Sequence, residues 1–151
     1  MIDSIEIATL LFDSTFQQKM GYDKETMACM FIPETYQVYW DMSADSFFER
    51  MQKEHKRFWN DERLAKAQAI GMTPEEVCTL ASIVEEETNN NGEKPMVAGL
   101  YINRLQRGMP LQADPTIKFA LQDFGLRRIT NENLRVESPY NTYINTGLPP
   151  G

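Results

Sequence analysis

The chain is poor in the residues on which several large function classes depend. It has one histidine, His55, which rules out a multi-histidine metal centre and argues against a histidine-based catalytic triad. Its two cysteines, Cys29 and Cys78, lie far apart in apolar contexts without metal-ligand spacing. That pattern predicts buried thiols rather than a disulfide. Basic residues are in deficit: 15 Lys and Arg stand against 22 Asp and Glu, for a net charge of −7. With no basic cluster to offset it, this charge excludes a nucleic-acid partner and gives little support for direct adhesion to anionic lipid. No apolar run reaches the length of a membrane span, and no signal peptide is visible. There are also no internal repeats and no low-complexity tract.

What remains is an ordinary globular composition, 42% hydrophobic over 151 residues, long enough for one domain with a sizeable core. The periodicity predicts an α+β fold: a mainly helical single domain, with a few short strands and a cleft. Residues 2–20 read as a short helix or helical pair with Ile7, Leu10, Leu11 and Phe16 as its apolar positions. Residues 28–40 are rich in aromatic and β-branched side chains and predict a strand broken at Pro33. Ser43 caps a helix carrying Phe47, Phe48, Met51, Phe58 and Trp59 on one side and ending before Gly71. After a turn at 89–92, a helix begins near Pro95 with Val97, Leu100, Tyr101 and Leu105 facing inward, and Gly108 suits its C-terminal cap. Residues 111–113 are short and extended. Asp114 then reads as an N-cap, with Pro115 in the first turn of a helix over 116–122. Thr130 is placed to cap one more turn, and from Ser138 onward the chain is a loop.

The most informative stretch is Leu80-Ala81-Ser82-Ile83-Val84-Glu85-Glu86-Glu87-Thr88, where an apolar helix runs into three carboxylates. Thr73-Pro74-Glu75-Glu76 has the form of a capping box at its start. Val77, Leu80, Ala81 and Val84 read as the core-facing stripe. At about 100° per residue, Glu86 points away from that stripe while Glu85 and Glu87 flank it, Glu87 slightly closer. A flanking carboxylate is partly desolvated and suited to general acid work. The plainer reading is a solvated helix end, although acidic residues there oppose the macrodipole. The wheel alone does not choose between Glu85 and Glu87.

Further motifs lie in fixed order. These are Phe31-Ile32-Pro33-Glu34-Thr35-Tyr36, Glu93-Lys94-Pro95, Asn103-Arg104-Leu105, Leu111-Gln112-Ala113-Asp114-Pro115-Thr116, Ser138-Pro139-Tyr140-Asn141-Thr142-Tyr143 and Gly147-Leu148-Pro149-Pro150-Gly151. Together with the Glu85-Glu86-Glu87-Thr88 run they resemble the YceG-like family, the endolytic murein transglycosylases, over residues 30–151. Glu34 stands where that family's element has Asp.

The resemblance implies a lytic transglycosylase. Such an enzyme cleaves the β-1,4 bond after N-acetylmuramic acid in peptidoglycan, forms 1,6-anhydro ends and limits the length of nascent strands. It places the catalytic carboxylate directly after Ser82-Ile83-Val84, at Glu85, and leaves Glu87 without an assigned role. Candidate groove residues are Asn103, Gln112, Asp114, Tyr140, Asn141 and Tyr143, each with a plainer alternative. Asp114 could be only a helix cap, Gln112 a structural hydrogen bond, Asn103 an exposed polar residue, and a loop tyrosine a core plug. No cofactor and no metal is called for.

The partners implied are peptidoglycan glycan strands, with cell-wall synthesis proteins as further candidates. The place implied is the extracytoplasmic face of the bacterial inner membrane, in the periplasm, with the piece itself soluble. Relatives of this family carry a membrane anchor, a LysM-like domain and a further C-terminal segment, so residues 1–151 read as an excised catalytic domain. Three other functions fit less well. A non-catalytic glycan-binding module and a muramidase that adds water are both compatible with the residues. A pyridoxal-phosphate aminodeoxychorismate lyase would need a Schiff-base lysine and a phosphate cradle, and Lys94 and Lys118 have no Gly-rich partner loop.

Overall fold

The computed structural model describes residues 3–151, so Ile2, the first residue of the predicted N-terminal helix, lies outside them. The chain packs as two compact units, Met1–Gly71 and Met72–Gly151. Among the described residues both are helical and neither contains a strand.

In the first unit, α1 (Ser4–Phe12) and α2 (Ser14–Met20) form a helical pair split at Asp13. Asp13 closes α1 and caps α2, its side chain accepting from the Phe16 N–H, and Gly21 ends α2 in the left-handed conformation at φ 88°. The strand predicted over 28–40 does not form. Met27–Met30 is a 3-10 turn and the rest is irregular chain, because its apolar side chains pack on helices and no neighbouring strand completes a ladder. The single long helix predicted after Ser43 is two. α3 (Ala44–Phe58) stops at Trp59, and Asn60 starts α4 (Asp61–Ala69) by accepting from the Arg63 N–H. The core of this unit is Met27, Met30, Phe48 and Met51. The Phe48 ring meets Phe16 edge-on at 4.8 Å.

The second unit is built on α5 (Pro74–Glu87), α6 (Lys94–Gln106) and α7 (Asp114–Leu121). The capping box is present: Glu76 N–H donates to Thr73 Oγ1 at 3.2 Å, and Thr73 N–H donates to Glu76 Oε2 at 2.9 Å. Leu80, Ile83, Val84, Tyr101, Leu111 and Ala113 form the core. Two inward assignments from the sequence are corrected here. Ala81 is exposed and Ile83 takes its place, because the packed face of α5 is centred between Leu80 and Val84. Leu100 is 54% exposed, and Ala98, Tyr101 and Ile102 fill the α6 side of the core instead.

The 111–113 run is not extended throughout: Gln112 turns it at φ 53°, Ala113 is extended, and the run pairs with a loop. Gln112 N–H donates to the Thr142 carbonyl at 3.0 Å, and Ala113 N–H to Thr142 Oγ1 at 3.0 Å. Ala113, not Asp114, occupies the cap position of α7. No side chain caps that helix, which leaves the Asp114 carboxylate available for another contact.

Candidate active site

Three carboxylates end α5, and each meets different surroundings. Glu85 is 67% exposed and takes Lys94 Nζ at 2.5 Å; the lysine, at 24%, is the more buried partner. Glu86 lines a cavity on the α7 side. Glu87 follows Leu80, Ile83 and Val84 by seven, four and three positions, so it continues the packed stripe past the end of the core. There it accepts a hydrogen bond from the Tyr101 hydroxyl, at 3.3 Å to Oε2.

Around Glu87 several of the sequence-selected residues converge. The Tyr143 hydroxyl donates to Asp114 Oδ1. Arg104 Nη1 donates to the Pro110 carbonyl at 2.9 Å and to Gln112 Oε1 at 3.4 Å. The two tyrosines and two carboxylates share one electrostatic neighbourhood. Burial pushes the Tyr101 hydroxyl well above the usual tyrosine range, helped by the Glu87 charge and hydrogen bond, with Asp114 also contributing. Burial, then the bond to Asp114, raises Tyr143 to about 12, with Glu87 adding to it. Both phenols therefore stay protonated and act as donors across the neutral range.

The backbone supports this arrangement. Gln112 holds a positive φ of 53°, unusual for a residue with a side chain, which turns the chain sharply just before α7. Thr142 locks the loop to that turn, and its hydroxyl also lies 2.8 Å from that of Thr116. Asn141 is fully buried. Its Nδ2 donates to the Leu134 and Val136 carbonyls at 3.0 and 2.8 Å, and its Oδ1 accepts from the Tyr143 N–H. Its amide thus shapes the loop from within and is not presented on the surface. Tyr140 lies apart from this array, with its ring against Phe119 at 4.7 Å. Asn103 is exposed on α6.

The array thus unites Glu87, Tyr101, Arg104, Gln112, Asp114 and Tyr143, whereas Glu85 pairs with the first residue of α6. Sequence reasoning passed over Tyr101 as plain core, since its ring is core and only its hydroxyl is not. It also left Arg104 and Thr142 inside motifs without roles. The helical wheel already set Glu87 slightly closer to the apolar stripe than Glu85, and exchanging Ala81 for Ile83 in that stripe places Glu87 one turn beyond a packed residue.

Comparison with known proteins shows the family. The sequence profile of the YceG-like family matches residues 2–151. A Bacillus subtilis (strain 168) protein named endolytic murein transglycosylase is 44% identical over 73 residues, 48% of this chain and 20% of that relative. A Streptococcus pneumoniae protein (strain D39) of the same name is 38% identical over 84 residues, 53% of this chain and 15% of the relative. The chain thus spans a minor part of the length of both. The crystal structure of a YceG-like protein from Listeria monocytogenes superposes with a TM-score of 0.77 at 29% identity, covering 99% of this chain and 53% of that one. This chain belongs to the YceG-like family.

Proposed function

We propose that the chain supplies the cleavage site of a murein lytic transglycosylase, with Glu87 as its proton-transferring group. The observation that carries this is the position of Glu87: exposed at the end of α5, it accepts from the buried Tyr101 hydroxyl at 3.3 Å, and its charge helps to raise the Tyr143 hydroxyl that donates to Asp114. Glu85, where the family resemblance sets the role, lies two residues earlier on the same helix and pairs with Lys94 Nζ.

In this reading Glu87 gives its proton to the glycosidic oxygen as the bond from C1 of N-acetylmuramic acid to that oxygen breaks. The resulting carboxylate then takes the proton from the sugar's own 6-hydroxyl as O6 bonds to C1. The product is a 1,6-anhydro ring, no water is consumed, and Glu87 ends protonated as it began. One carboxylate therefore suffices where ordinary glycosidases use two. Tyr101 and Tyr143 donate and do not compete as bases. Asp114 holds the Tyr143 hydroxyl, and Arg104 orients the Gln112 amide, which is suited to an acetamido group. Peptidoglycan strands are the substrate, outside the cytoplasm. Among the described residues no helix is long and apolar enough to cross a membrane.

Mass spectrometry of glycan strands incubated with the protein tests this. Anhydro-muramyl ends are expected; reducing ends would make it a hydrolase, and intact strands a binding module. Glu87→Gln should lower cleavage by about two orders of magnitude or more, the usual worth of general acid catalysis. Glu85→Gln should retain most of it. The opposite ranking would return the role to Glu85.

A further inference from the structure

On the α7 side of α5, away from the Glu87 array, lies a cavity of about 290 Å³, at the small end for ligand sites. One wall is aromatic: Phe119 meets Tyr140 at 4.7 Å and Phe124 at 6.2 Å, with Phe124 65% exposed. Two opposite charges, Glu86 and Lys118, also line it. Among the described residues every ion pair is formed by other groups, and the side chains of Glu86 and Lys118 make no hydrogen bond. The hydroxyls at the rim are already donors to the backbone, Thr79 to the Glu75 carbonyl and Ser82 to the Thr79 carbonyl.

A neutral sugar fits this lining poorly. It needs neither charge, and desolvating two ions against it would be uncompensated. The lining suits a ligand that brings an ammonium to Glu86, a carboxylate to Lys118 and an apolar stem to the aromatic wall. We infer that this cavity binds a short zwitterionic peptide, which on the proposed substrate is the amino-acid stem carried by murein. The identity of the carrier rests on the proposed function; the chemistry of the cavity does not.

Calorimetric titration of the protein with synthetic alanyl-γ-glutamyl-lysine tests the inference. Saturable binding is expected, weakened about tenfold by Glu86→Gln and by Lys118→Met, the usual worth of one charge-assisted hydrogen bond. Lys118→Arg should restore binding, acetylation of the peptide's N-terminal amine, which is acylated on the murein stem, should leave it intact, and acetylation of the lysine Nε together with amidation of the carboxyl groups should abolish it. Glu87→Gln should bind as the parent does, so loss of cleavage and loss of peptide binding are read separately. Absence of saturable binding, binding by both charge variants as tight as that of the parent, or displacement of the peptide by an N-acetylglucosamine tetrasaccharide would each overturn the inference.

Discussion

Thr142 joins two segments that are distant in sequence through one hydroxyl, which accepts from the buried Ala113 N–H and contacts Thr116. Thr142→Val keeps the shape but leaves that N–H without a partner, a loss of about 1–3 kcal/mol. Urea unfolding should show it, and an unchanged midpoint would mean that another acceptor takes over. The Thr142 carbonyl and the Gln112 turn show the same logic: side chains chosen from the sequence for contact with a ligand also build the loop that presents them. Asn141 is the clearest case. Its residue type marked it as special, but only its burial reveals that its partners are the chain's own carbonyls.

At the scale of elements, helix starts were legible because caps are local. Ser43 and Thr73, both read as caps, each use their own side chain on an N–H three residues on, and Asp13, which was not singled out, does the same. Thr73→Ala should therefore cost about 1 kcal/mol, read as a shift in thermal midpoint, and Thr73→Ser should recover it. The break between α3 and α4 was not legible, since Trp59-Asn60 interrupts a pattern that is otherwise helical and no Gly or Pro marks it. Phe48 is the central side chain of the first unit, touching Phe16, Phe31 and Phe47. Phe48→Ala should destabilise that unit by about 3–5 kcal/mol, measured by hydrogen exchange in α3, through lost transfer energy and the cavity left behind. Near-native protection would show that the surrounding methionines collapse into the space.

For the whole molecule, the two raised phenols give stability a definite pH dependence. A tyrosine whose folded pKa lies above its unfolded value near 10 stabilises fully below that value and loses the contribution as pH rises through the folded one. With Tyr101 and Tyr143 both raised, Tyr143 to about 12, stability should fall from about pH 10 upward. Chemical unfolding midpoints at successive alkaline pH values should decline, and Tyr143→Phe should flatten part of that decline. A rise in stability over the same range would contradict the assigned surroundings of both hydroxyls.

The sequence by itself determined the helical elements of the second unit, its capping box, and the motifs that identify the family. All of these depend on residue type or on spacing within a few turns. Tertiary structure decided the rest. It removed the expected strand, because a strand exists only with a partner to complete its ladder. It split the polar-aromatic motif, sending Tyr143 to Asp114 and Tyr140 to Phe119, because successive loop residues leave the backbone in different directions. It separated Glu85, Glu86 and Glu87, identical in type and adjacent in sequence, by surrounding them with a lysine, a cavity and a buried tyrosine respectively. An environment is set by what packs beside a side chain, and those neighbours come from α6, from α7 and from the loop that Thr142 ties down.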